Sequence, residues 1–175
     1  MAIFITPSED INQLLDLKYA TIGDEVELME INGTLQLVIP SALPTPPPYS
    51  CRALVNTRGV TDLSGAWAGC TSITDFPLLE WDSCTNFYGA WQGCTSLVTF
   101  PAHAFDNSTS SNYEGAWTSC ALNETSVDNI LVSIDSSGVT NGTLSIEEGT
   151  SSPPSSTGLA AKLSLQARGW TVTTN

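Results

Sequence analysis

The sequence predicts an α/β repeat solenoid: a short stack of coils closed by a helix-strand cap and preceded by a small N-terminal helix plus β-hairpin. Three observations predict it. A hexapeptide, Gly-Ala-Trp-x-[Gly/Ser]-Cys, occurs three times at nearly constant spacing. After the last copy, apolar residues take helical spacing twice, each time followed by a short β-type run. Charged residues make up only 13% of the 175, so Ser, Thr, Asn and Gly supply much of the polar surface, which suits turn-rich repetitive structure better than a helical bundle.

From the N-terminus, Ser8 precedes Glu9 and Asp10, and Ile11, Leu14, Leu15 and Lys18 follow at helical spacing. An N-cap with acids in the first turn predicts a short helix over residues 7–18. After Gly23 the period becomes two: Val26 and Leu28 alternate, then Leu35, Leu37 and Ile39, with Asn32-Gly33 between the runs. Asn-Gly flanked by alternating residues predicts a hairpin, because both turn positions accept φ > 0. Residues 40–50 hold five prolines, including Pro46-Pro47-Pro48, a composition that favours a stiff polyproline spacer of roughly 3 Å per residue. The organisation expected is an attachment unit over 1–40, a linker over 41–50, repeats over 51–125, and longer coils with a cap over 126–175.

The repeats are Gly65 to Cys70, Gly89 to Cys94 and Gly115 to Cys120. The first two continue as Thr71-Ser72-Ile73-Thr74-Asp75-Phe76-Pro77 and Thr95-Ser96-Leu97-Val98-Thr99-Phe100-Pro101. A period of 20 to 29 residues is one solenoid coil, which buries its apolar residues only by stacking on the next. Equivalent positions then form ladders: Trp67, Trp91 and Trp117; Cys70, Cys94 and Cys120; Phe76 and Phe100. Three buried tryptophans contribute on the order of 12 kcal/mol of gross burial, reason enough for their repetition without a ligand. Beyond them, Thr125-Ser126 is expected to cap a helix with Val127, Ile130, Leu131 and Ile134 inward. A strand is expected over 141–146. A second helix follows from about Thr157 to Arg168, with Leu159, Leu163 and Ala167 inward and Gly169 as its stop. A strand over 170–173 ends the chain.

The charge of −13, from 18 acids and 5 bases, repels phosphate backbones and anionic lipid, so neither nucleic acid nor membrane insertion is expected. No leader or membrane-spanning run is apparent, so synthesis in a cytoplasm is expected and the sequons at Asn32, Asn107, Asn123 and Asn141 read as incidental. Five cysteines without C-x-x-C spacing, and His103 as the one histidine, predict buried thiols and no structural metal. Cofactors and catalysis are not expected. His103 has no nucleophile partner in sequence, Glu80 and Asp82 around Trp81 read as a solvated turn, and residues 106–112 offer at most a weak calcium cluster.

The phrase Ala90-Trp91-Gln92-Gly93-Cys94-Thr95-Ser96-Leu97, and nearly as well Ala66 to Ile73, resembles the BspA-like leucine-rich repeats of bacterial surface proteins, with Trp where that family has Phe. Ala116 to Leu122 departs from it, as a terminal coil would. The resemblance covers about residues 55 to 175. It implies a curved solenoid for adhesion or protein recognition, and no catalytic residues. Similar repeats occur in bacteriophage structural proteins. The expectation is therefore a non-enzymatic virion protein (fibre, appendage or capsid-decorating), made in the host cytoplasm and displayed on the virion. Its partners would be other virion proteins or a host surface component, with homo-oligomerisation through residues 1–50. The alternative is an intracellular module binding a protein through the solenoid face. Outward strand positions Thr74, Asp75, Val98 and Thr99 are the candidate partner-binding residues.

Overall fold

The computed structural model describes residues 27–31, 34–38 and 60–175. The expected helix over 7–18 and the proline-rich linker lie outside the described residues. Strands β1 (Glu27–Ile31) and β2 (Thr34–Val38) pair antiparallel with Ile31 opposite Thr34. Only Asn32 and Gly33 separate them, the two-residue spacing that Asn-Gly favours.

From Val60 onward the chain is built in layers joined by parallel backbone hydrogen bonds. Leu63, Gly65, Trp67 and Gly69 donate their N–H groups to the carbonyls of Asn86, Tyr88, Ala90 and Gln92. Phe87, Gly89, Trp91 and Gly93 donate in the same way to Asn112, Glu114, Ala116 and Thr118. Parallel bridges join Asp62 to Asn86, Asn86 to Asn112, and Asp75 to Thr99. The offset is 24 and then 26 residues, so each copy of the hexapeptide lies directly against the next. A third set of bonds, from Trp117 and Ser119 to Ser145 and Glu147, carries the ladder into the C-terminal part.

There the layers lengthen. Strands β3 (Asn112–Tyr113), β4 (Thr143–Ile146) and β5 (Thr171–Thr174) form a parallel sheet in that order. Helices α1 (Glu124–Ser136) and α2 (Ser156–Ala167) make the crossovers. Parallel neighbours need such a connection, because a tight turn cannot return the chain to the same end.

Two details of the helices differ from the sequence reading. The cap of α1 is Asn123, whose side chain accepts from the Ser126 N–H, and Thr125 and Ser126 lie inside the helix. In α2, capped by Ser155, the inward residues are Gly158, Ala161 and Leu165, while Leu159 and Leu163 are 47% and 66% exposed. The reason is close approach. A Cβ on Gly158 would stand 2.1 Å from Asp128 Oδ1 and 2.8 Å from Pro154 Cβ, so only the small-residue face of α2 fits against α1.

The tight turn inside each layer needs a left-handed residue, supplied by Gly69 (φ 73°) and Gly93 (φ 74°). In the third and fourth layers the same column holds Ser119 (φ 61°) and Glu148 (φ 60°). A Cβ at such φ costs roughly 1–2 kcal/mol, while the exposed bond from Ser119 Oγ to Glu148 returns only part of it. Ser119→Gly is expected to raise stability by about 1 kcal/mol and Gly93→Ser to lower it by about as much. Urea-unfolding midpoints check both.

Candidate functional site

The interior is made of aromatic columns. Trp67, Trp91 and Trp117 stack with ring centroids 5.3 and 4.9 Å apart and planes within 7°. Phe76 stacks on Phe100 (5.3 Å), Trp81 on Phe105 (5.6 Å) and Phe87 on Tyr113 (5.0 Å). Between columns the rings meet edge to face, as Trp67 does with Phe76 and Trp91 with Phe100. Stacking down the columns and edge contacts across them satisfy the ring quadrupoles in both directions. The Trp81–Phe105 and Phe87–Tyr113 columns escaped the sequence reading. Their signal is the same offset, 24 for the first pair and 26 for the second, at positions outside the hexapeptide.

Cys70, Cys94 and Cys120 are buried beside the Trp column, and none of the described cysteines is in a disulfide. The Cys94 thiol donates to the Trp67 carbonyl at 3.0 Å and the Cys120 thiol to the Trp91 carbonyl at 3.1 Å. Each sulfur thus satisfies a carbonyl in the preceding layer. Burial, with Cys94 nearby, pushes the Cys120 thiol up to about 12, and burial pushes Cys84 up to about 11. Neither is a nucleophile near neutral pH.

The outside of the stack carries two polar rails. On one, Asn86 Nδ2 donates to Asp62 Oδ1 (3.1 Å) and Asn112 Nδ2 to Asn86 Oδ1 (2.8 Å). The same side-chain oxygens accept the backbone N–H groups of Ser64, Tyr88 and Glu114 two residues on. Partial burial works to raise the Asp62 carboxyl, but the bonds from Ser64 and Asn86 outweigh it and hold the group below its ordinary value. This ladder was also missed in sequence. Its signal is Asp or Asn three residues before each motif glycine.

The second rail holds the candidate partner-binding residues. Thr74, Asp75 and Val98 are exposed and Thr99 is half-buried. Asp75 and Thr99 lie side by side in the ladder, and the Asp75 carboxylate accepts from both the Thr74 and Thr99 hydroxyls. Those hydroxyls, Thr99 first, lower its pKa. This rail has one rung, Asp75 to Thr99, and its carboxylate is already held by the two hydroxyls.

Of the remaining chemistry-bearing residues, His103, Asp106 and Ser133 meet, and there the carboxylate, not the imidazole, is the bridge. Trp81 is buried, its indole N–H donating to the Ala104 carbonyl, so the exposed Glu80 and Asp82 flank a core residue with no ring face for a sugar. His103 is exposed and pairs with Asp106 at 2.8 Å, while Asp106 also accepts from Ser133 Oγ. Within 106–112, Ser108 and Ser110 turn inward, Ser108 meeting the Tyr113 hydroxyl at 2.7 Å, and Asn112 belongs to the rail. Among the described residues no group of three His, Cys, Asp or Glu could hold a metal ion, and no helix is long and apolar enough to cross a membrane.

Asn86→Ala removes the central rung of the Asx ladder and leaves the Asn112 amide without its acceptor. It is expected to cost about 2 kcal/mol, read as a lowered urea midpoint. The thiols set an alkaline limit. The unfolded chain releases these protons near 9.0, whereas the folded state retains them to about 11 for Cys84 and 12 for Cys120. Stability should therefore hold up to pH 9 and fall progressively above it. A denaturant midpoint followed from pH 7 to 11 checks this, and Cys120→Ala should make the decline shallower. Compared with known proteins, the chain matches no family model, no curated protein and no solved structure.

Proposed function

We propose that the protein is a non-enzymatic structural component of a bacteriophage virion, a fibre, appendage or capsid-decorating protein. In this reading residues 51–175 form a leucine-rich-type solenoid that presents an outer face to a virion or host-surface protein. Residues 1–50 join it to other virion proteins or to further copies of itself. The observation that carries the scaffold part is the register of the hexapeptides. Three copies lie against one another at offsets of 24 and 26 residues, with their Trp and Cys side chains spent on the interior. Residues thus committed to packing leave recognition to the outer rails. The virion assignment rests on the likeness of Ala90 to Leu97 to the repeat phrase found in surface and phage structural proteins.

Solution mass tests it. The full chain should be a defined oligomer by light scattering, and a chain beginning at Ser50 should be a folded monomer. Two monomers would rule out self-assembly through residues 1–50 and shift the reading to a protein partner on the repeat surface.

A further inference from the structure

The last helix of the stack shows its larger apolar residues to solvent. Of α2, Gly158, Ala161 and Leu165 face inward, while Leu159, Ala160, Leu163 and Ala167 face out. By contrast, α1 buries Val127, Ile130, Leu131 and Ile134 and leaves only Val132, at 36%, among its large apolar residues exposed. The difference is position. Helix α1 has α2 as its neighbour along the stack, whereas the outermost strand, β5, is followed by no helix among the described residues. The junction between α1 and α2 shows what such a neighbour brings. Small and apolar residues meet, and acids of one layer hold polar groups of the next: Asp128 holds Ser155 and Asp135 holds Arg168. A helix with apolar residues on two faces is made to be covered on both.

Charge narrows the occupant. Helix α2 contains no acidic residue, in a chain whose net charge is −13, and its Lys162 is turned to β5, where it donates to the Thr174 hydroxyl. An acid-bearing amphipathic segment therefore meets no like charge on this helix. The sequence has three segments with helical apolar spacing, and two of them are α1 and α2. The third is residues 8–18, whose sequence places Ile11, Leu14 and Leu15 at helical spacing and also holds Glu9, Asp10 and Asp16. That segment precedes the first layer, at Val60, and α2 flanks the last. Joining one to the other between molecules is a head-to-tail contact, which closes into a ring of defined size where its rotation allows.

We propose that the outward face of α2, centred on Leu159 and Leu163, is the docking site for residues 8–18 of a second copy, a step that rests on the assembly reading above. The test is made on the full chain. A photo-crosslinking residue placed at Leu163 should give products of dimer mass and above, with attachment in the tryptic peptide that ends at Lys18. Attachment at monomer mass, attachment to another peptide, or no product would overturn the proposal. Leu159→Glu with Leu163→Glu, both at solvent-facing positions, should reduce the solution mass to one chain while the circular dichroism is unchanged. Leu14→Glu with Leu15→Glu should do the same from the other side. If the parent chain is itself a monomer, the assembly reading fails and this docking with it. If the parent is an oligomer and the Leu159/Leu163 variant stays one, assembly stands and this site is overturned.

Discussion

The backbone ladder between layers is the constraint from which the rest follows. Each N–H of a layer that points along the stack must find a carbonyl in the next, and strand spacing of roughly 4.8 Å fixes how far away that is. The register then leaves no freedom to the side chains. Whatever occupies a position meets its own kind one layer on, at about that separation. Rings answer this well, and the centroid distances of 4.9 to 5.6 Å within the columns are the ladder spacing seen through the side chains. Asparagine answers it too, because its amide donates along the stack with one atom and accepts with the other. Thiols are the third solution, small enough to sit beside indoles and still reach a carbonyl in the layer before.

The same constraint explains the polar residues on the buried face of α1. Where a helix replaces the return limb, it cannot offer free backbone groups to the limb it covers. Side chains do so instead. Ser126 Oγ accepts the Phe100 N–H, Ser133 Oγ accepts the Phe105 N–H, and Asn129 Nδ2 donates to the Phe100 carbonyl. Positions 126, 129 and 133 are one helical stripe, so these side chains stand in for a strand edge. One layer later, Ser151 Oγ accepts the Leu122 N–H. An apolar residue at Ser126 or Ser133 would leave a buried N–H without a partner, at a cost of about 1–3 kcal/mol.

What the sequence made legible follows from the same physics. Exact repetition is a signal of register, so the Trp, Cys and Phe76/Phe100 ladders could be read directly. The Trp81–Phe105 and Phe87–Tyr113 columns were hidden because an aromatic replaces a different aromatic, and ring shape is conserved where identity is not. The Asx rail was hidden because its first member is Asp62, which accepts but cannot donate and so serves only at an end of the rail. The phase of α2 failed for another reason. Ranking residues by bulk places Leu159 and Leu163 inside, but the Asp128 grip on Ser155 brings the helices too close for them. Thr125-Ser126 does not cap α1 because the Ser126 hydroxyl accepts the Phe100 N–H, and Asn123 caps the helix instead. Of the candidate partner positions, Thr74, Asp75 and Val98 are exposed and Thr99 is half-buried. That Asp75 is held by its own neighbours is a contact between layers, which no single repeat displays.

One cost remains in the core, and magnitudes decide why it is tolerated. The indole N–H groups of Trp67, Trp91 and Trp117 are buried without hydrogen-bond partners, whereas those of Trp81 and Trp170 each reach a carbonyl. Each orphaned donor costs about 1–3 kcal/mol. Against this, a buried Trp removes 150–250 Å² from water, worth roughly 4–6 kcal/mol. The breadth of the indole also has a use that a single ring lacks. Trp91 alone touches Trp81, Phe76, Phe87, Phe100 and Phe105 while stacking on its two counterparts. It spans columns that would otherwise be separate, so the bicycle ties the rows of the core together as well as filling them. Phenylalanine would remove the orphaned donor and keep the stack, but it would leave the cross-column gap unfilled, and cavities in a packed core are penalised by their volume. The net favours tryptophan wherever layers are few, because a short stack has little other area from which to recover its conformational entropy.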